Sequence, residues 1–331
     1  MLTALNSDLE VVNLDLTDLS VGQVEVQVKM SGLCGAQLQE IKGNKGNAKF
    51  LPHLLGHEGV GVVTNVGDGV TRVTPGDLVA MHWRIGAGIE SDFPRYVLNG
   101  KTIQSGKINS LVERAIVSEN RITKIPSSTP LELAAMMGCA TSTAFGVLEN
   151  DAKLLAGENV LVIGCGGLGL NLIHISRLMG AGLVEGVDRT TEKSTLVTQI
   201  GGNHLYEALP KNKIYQVIID TTGDVNLINA ALDLLADRGR LIMVGQPEPE
   251  SSLTITNAVK FFTDSGRRLI ASQGGSINPS RDLERITNFA LQNDFKYKSL
   301  VTEYFHLSEI NEALSHLRSG MSGRIMIRIG E

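Results

Sequence analysis

Val24, Val26 and Val28 alternate with Glu25, Gln27 and Lys29, the period of a strand with one buried and one wet face. Short apolar runs follow at residues 59–63 and 77–81. Turn chemistry at 66–69 (Val-Gly-Asp-Gly) and 74–77 (Thr-Pro-Gly-Asp) separates them, so the first 125 residues read as β structure. Near residue 130 the texture changes. Residues 131–137 form an apolar helix candidate, 159–163 a short apolar strand, and 168–179 have helical spacing. Residues 183–187, 216–220 and 240–244 read as further strands, with Ile228, Leu232 and Leu235 at helical spacing between them. Strands alternating with helices predict a parallel sheet with right-handed crossovers. Two amphipathic helices come last, one through Leu283, Ile286, Phe289 and Ala290, the other through Ile310, Ala313, Leu314 and Leu317 and stopping near Gly320. A terminal strand spans 325–329. The pattern contains no internal repeat and no low-complexity linker.

Composition narrows the function classes. The 331 residues are 42% hydrophobic and 20% charged, which excludes a disordered chain and allows one large or two medium domains. A net charge of −5 with no Lys/Arg block leaves no electrostatic footprint for nucleic acid or an anionic membrane. Three Cys rule out a disulfide framework and fit a reducing compartment. Asp8 and Glu10 interrupt any secretory pattern, and no apolar run is long enough to span a bilayer. The expectation is a soluble, cytoplasmic protein acting on a small molecule.

Gly164-Cys165-Gly166-Gly167-Leu168-Gly169 matches G-x-G-x-x-G directly after a predicted strand and before a predicted helix. The first Gly permits the tight turn, the second lets a pyrophosphate approach the backbone, and the third lets helix and strand pack closely. The helix start then offers unpaired N–H groups and a positive dipole end to the phosphates. Asp188 ends the next strand, where a carboxylate hydrogen-bonds ribose hydroxyls and repels an added phosphate, favouring NAD over NADP. Arg189 beside it is the residue type that accommodates such a phosphate.

Cys34, the pair His57-Glu58, and Cys139 supply two thiols, an imidazole and a carboxylate. Catalytic zinc takes three such ligands and keeps one position open. Spacing alone does not join these positions, since an isolated Cys or His is as readily a core residue.

Gly32-Leu33-Cys34-Gly35, then Gly56-His57-Glu58-Gly59-Val60-Gly61, Pro75-Gly76-Asp77, the 138–146 segment around Cys139, and Leu317-Arg318-Ser319-Gly320 with Arg324 come in an order that resembles the zinc-dependent medium-chain alcohol dehydrogenases. The resemblance spans nearly the whole chain. It implies an α/β protein with a GroES-like β-barrel catalytic domain at 1–140 and 272–331, and a Rossmann doubly wound parallel sheet at 141–271. It implies Cys34, His57 and Cys139 as ligands of one catalytic zinc, with Glu58 an alternative ligand or supporting carboxylate. Lys193 would join Asp188 at the adenosine ribose, Arg324 would contact the pyrophosphate, and Trp83 would wall the substrate pocket in the cleft between domains. Relatives of this kind are homodimers or homotetramers built by extending the Rossmann sheet, and the run at 241–244 is compatible with that.

The chain also departs from the family. Residues 82–105 contain no Cys, so no structural zinc is expected. Ala36 and Gln39 stand where relatives carry proton-relay groups, which leaves water, His53 or His82 for that task. Gln37 replaces an acidic residue that orients the metal-bound His, and its amide oxygen is expected to accept from His57. Gly35 replaces an Arg that some relatives place on the pyrophosphate. Gln37, Gln39, His82 and Arg84 suggest a polar pocket. The leading expectation is therefore a zinc-dependent, NAD(H)-linked alcohol dehydrogenase for a polyol, sugar or cyclitol. A zinc-free quinone or enone reductase and a catalytically inactive NAD-binding sensor are the alternatives.

Overall fold

The computed structural model describes residues 1–331 apart from 47, 256–257, 263–265 and 331. The chain divides into two units: Met1–Cys139 with Asn278–Gln292 and Val301–Glu331, and Ala140–Ile277 with Asn293–Leu300. The return to the first unit thus falls at Asn278 rather than 272, and a short later stretch belongs to the second. Its anchor is local: the Lys296 N–H donates to His174 Nε2 at 2.9 Å, and the Phe295 ring lies 4.9 Å from the His174 ring.

In the first unit the eleven-residue strand Gln23–Leu33 is the organising element. It pairs antiparallel with Glu58–Val66, Arg114–Ser118 and Arg324–Arg328. Beyond these the sheet continues through Leu78–His82 and Ile122–Lys124 on one side and Val301–His306 on the other. A smaller sheet joins Asp15–Leu16, Arg95–Leu98, Lys101–Ser105 and His53–Leu54. Val24, Val26 and Val28 have no exposed surface, and each contributes about 1.5–3 kcal/mol by its burial. The opposite face is wetter but not uniformly so. Glu25 is buried, and its Oε1 accepts from Arg114 Nε at 2.7 Å and Thr64 Oγ1 at 2.9 Å. Alternation marks which side chains share a face; it does not reveal that neighbouring strands and long side chains cover both.

In the second unit the parallel strands run in the order His204–Tyr206, Val184–Val187, Val160–Ile163, Tyr215–Asp220, Leu235–Met243, Arg268–Ala271. Val160, Leu161, Val162 and Ile163 are all fully buried, as expected of a central parallel strand covered on both faces. The two edge strands escape the periodicity reading because they are only three and four residues long. Leu235 does not continue the preceding helix. Val225–Ala231 passes into a tight turn at Leu232–Leu234, and Leu235 opens the next strand. The 241–244 run is not at the sheet edge either, because Arg268–Ala271 pairs alongside it and takes the outermost position. Among the described residues, no single helix is long and apolar enough to cross a membrane.

Candidate functional site

Three segments of the first unit end side by side. Cys34 follows the Gln23–Leu33 strand and precedes the helix Gly35–Lys42, His57 precedes the Glu58–Val66 strand, and Cys139 follows the helix Leu131–Met137. Their potential ligand atoms lie within 4.8 Å of one another, and all three residues are half-buried. Tetrahedral zinc with bonds of about 2.0–2.3 Å needs its ligand atoms roughly 3.5–4 Å apart, so the group fits with small closing motions. Two sulfurs and an imidazole with a partly open face are the donor set of a catalytic rather than a closed structural zinc.

The two thiols are electrostatically unequal. The Cys139 side chain, hydrogen-bonded to Cys34, draws Cys34 well below the ordinary thiol range, with further help from His57 and Arg324 and against the opposing effect of burial. Cys139 is pushed well above that range by Cys34 and by burial, although the Arg84 charge and the Trp83 side chain act the other way. Of the two, Cys34 is the thiol whose ionised form its surroundings favour.

Glu58 is not among the three converging side chains. It has no exposed surface, and its carboxylate faces the equally buried Arg324. Two motif glycines make room for it. A Cβ on Gly32 would collide with Glu58 Oε1, and one on Gly138 would come within 2.8 Å of Glu58 Cβ. Arg324, expected at the pyrophosphate, is engaged inside this unit with Glu58 and with the Cys34 sulfur. That role was not visible in the sequence, since 266 residues separate the two partners of the ion pair.

Gln37 is fully buried beside His57, with its polarity reversed from expectation. Its Oε1 accepts from the Cys34 N–H at 2.8 Å, and its Nε2 lies 3.0 Å from His57 Nδ1. Trp83 lies at the site through its effect on Cys139, with the Arg84 guanidinium 4.6 Å from its ring centre. His82, expected as a pocket or relay residue, lies in the interior. It has no exposed surface; Nδ1 is 2.9 Å from the Arg84 carbonyl and Nε2 is 2.9 Å from Thr123 Oγ1. His53 is buried too, with Nε2 3.6 Å from a Glu40 carboxylate oxygen. Gln39 accepts from Asn44 at 2.6 Å.

The glycine turn lies in the second unit, between the strand Val160–Ile163 and the helix Gly167–Leu178. Gly164 has φ +88°, a left-handed conformation that favours glycine, and Thr221 Oγ1 donates to its carbonyl at 2.9 Å. A Cβ on Gly169 would collide with that same carbonyl oxygen. Gly166 differs: its φ is −79° and an added Cβ would meet nothing within 4 Å. The protein itself does not require glycine there, so the open space fits an external group approaching the backbone. Gly167 and Leu168 form the first turn of the helix, whose N–H groups face that space. Asp188 Oδ2 accepts from the Cys165 N–H at 2.7 Å and from Lys193 Nζ at 3.0 Å, which draws the two ribose-binding candidates up to the turn. Arg189 follows Asp188 and precedes the helix Ser194–Gln199. The Cys165 thiol is a core group, pushed up to about 12 by burial.

The Alcohol dehydrogenase GroES-like domain matches residues 20–127, and the Zinc-binding dehydrogenase domain matches residues 167–291. The chain belongs to the zinc-dependent medium-chain dehydrogenase/reductase family. It is 27% identical to the S-(hydroxymethyl)glutathione dehydrogenase of Photobacterium damsela subsp. piscicida, with 96% of each chain covered. In fold it is similar to benzyl alcohol dehydrogenase from Acinetobacter calcoaceticus (TM-score 0.87, 21% identity, 99% and 98% covered). A short chain alcohol dehydrogenase from E. coli CFT073 complexed with NADH has a TM-score of 0.81 at 19% identity, with 99% and 98% covered. The architecture is thus a GroES-like β domain with a Rossmann sheet.

Two outcomes follow for the family member. Gly166→Ala should keep the melting temperature within about 2 °C yet weaken NADH binding about tenfold or more, whereas Gly169→Ala should destabilise by about 1–3 kcal/mol. Calorimetry and NADH fluorescence titration separate them; equal destabilisation by both would remove the ligand-facing role of Gly166. Burial holds His82 at about 4 against an ordinary 6.5. The unfolded chain therefore protonates first, and stability is intact above pH 6.5 and lost as pH falls through about 4. The total is on the order of 3 kcal/mol. Urea titrations of His82→Gln should show a shallower loss over that window, and an unchanged slope would contradict the assignment.

Proposed function

We propose that this family member is a zinc-dependent, NAD(H)-linked dehydrogenase interconverting a polar alcohol (a polyol, sugar or cyclitol) and its carbonyl by hydride transfer. The convergence of Cys34, His57 and Cys139 within 4.8 Å carries the reading. Zinc held there supplies Lewis-acid polarisation of a hydroxyl or carbonyl oxygen and makes the hydroxyl proton easier to lose.

The chain's own residues supply the rest. Cys34, His57 and Cys139 would hold the metal, and the Arg324 charge favours the ionised form of the Cys34 thiol. Trp83 offers an apolar wall for the substrate carbon that gives up hydride. The Arg84 charge beside Cys139 supports a polar substrate, as does the substrate in the name of the S-(hydroxymethyl)glutathione dehydrogenase relative. Gly166 and the first turn of its helix receive a pyrophosphate. Asp188, with Lys193, takes the ribose hydroxyls, and its charge opposes an added phosphate, supporting NAD. Arg189 is the counterweight in favour of NADP.

A dinucleotide-binding protein without turnover is the second reading. Ala36 favours it, because no hydroxyl stands there to pass a proton, and His53 and His82 are both buried.

Metal content and NADH absorbance across a panel of alcohols and sugar alcohols test the proposal. The expected result is one zinc per chain and turnover with a polar alcohol, lost by more than about 100-fold in Cys34→Ser and His57→Ala while NADH binding persists. Full turnover after chelation would sink it, and tight NADH binding with no turnover across the panel would favour the second reading. For the cofactor, Asp188→Ser should raise the kcat/KM ratio of NADP to NAD about tenfold or more; a wild-type preference for NADP would refute the role given to Asp188.

A further inference from the structure

We propose that Gln37 is a positioning residue that sets the His57 ring in the tautomer opposed to metal binding, so that this chain holds zinc more weakly than its three ligands allow. The inference rests on the zinc reading above.

The polarity of the Gln37 amide is decided by a backbone group. The Cys34 N–H can only donate, so the side-chain atom 2.8 Å from it is the amide oxygen. The nitrogen then faces His57 Nδ1 at 3.0 Å, and an amide nitrogen can only donate. Nδ1 must accept, which puts the single proton of the neutral ring on Nε2. Nε2 is the ring nitrogen left for a metal, and with a proton on it no lone pair is available. The hydrogen bond from His57 to the Cys34 sulfur is the one this tautomer makes.

Ligation through Nε2 moves the ring proton to Nδ1. Two donors then oppose each other across 3.0 Å, and Gln37, being fully buried, has no water to turn to. Rotating the amide does not cure this, because its nitrogen would then meet the Cys34 N–H. One buried hydrogen bond is lost in either arrangement. A carboxylate at the same position has two acceptor oxygens and serves both donors at once. The amide gives its oxygen to the helix start and offers the imidazole only a donor.

Gln37→Glu keeps the side-chain length and replaces the donor. In the full chain, stripped of metal and titrated with zinc against a chromogenic chelator, the variant should bind zinc about 10–100-fold more tightly than wild type. A second measurement needs no variant to fold: nitrogen NMR of metal-free, histidine-labelled wild type, with the His57 signal identified by its loss in His57→Ala, should report the Nε2–H tautomer. Zinc binding by wild type with equal or weaker binding by Gln37→Glu would overturn the inference and leave the zinc reading standing. An Nδ1–H tautomer in the metal-free protein would overturn it as well. Failure of both proteins to take up zinc would sink the zinc reading, and this inference with it.

Discussion

Glu58 and Arg324 face each other with almost no exposed surface, and the segments that carry Cys34, His57 and Cys139 pack around that ion pair. Gly32 lies two residues before Cys34, Glu58 directly after His57, and Gly138 directly before Cys139. The Glu58 carboxylate occupies the space a Cβ on Gly32 would need, and the Met81 carbonyl oxygen together with Glu58 Cβ occupies that at Gly138. The desolvation cost of such a pair is offset only while both charges are present; removing one partner of a buried pair typically costs about 3–5 kcal/mol. The pair therefore sits among the strand and helix ends from which Cys34, His57 and Cys139 converge, and it places a guanidinium against the Cys34 sulfur.

The same environment divides the charge of the two thiols. Two sulfurs in contact share one proton more readily than they carry two negative charges, and the side favoured by His57 and Arg324 is Cys34. The glycine turn of the second unit divides its labour in a comparable way. Gly164 and Gly169 are needed by the chain's own backbone, whereas Gly166 leaves space that no protein atom fills.

Much of this was legible along the chain. The parallel order of strands, the glycine turn between strand and helix, and the acidic residue at the end of the next strand follow from periodicity and spacing, because each is a local pattern with a local cause. The short edge strands were not legible, since three or four residues cannot establish a period. His82 looked like a polar pocket residue, but tertiary neighbours occupy both ring nitrogens. Gln37 was expected to offer its oxygen to His57; the Cys34 backbone N–H, a competitor without a side-chain signature, takes that oxygen first.

What the sequence by itself determined is the inventory: two thiols, an imidazole and a carboxylate in motifs of known order, a turn that only glycines can make, and the alternation that builds each sheet. Only the tertiary structure decided how those groups are paired, which carboxylate meets which guanidinium, which thiol is the easier to ionise, and which way an amide points. The physical reason is that hydrogen-bond polarity and charge pairing depend on contacts between atoms far apart along the chain. Periodicity depends only on neighbours a few residues away.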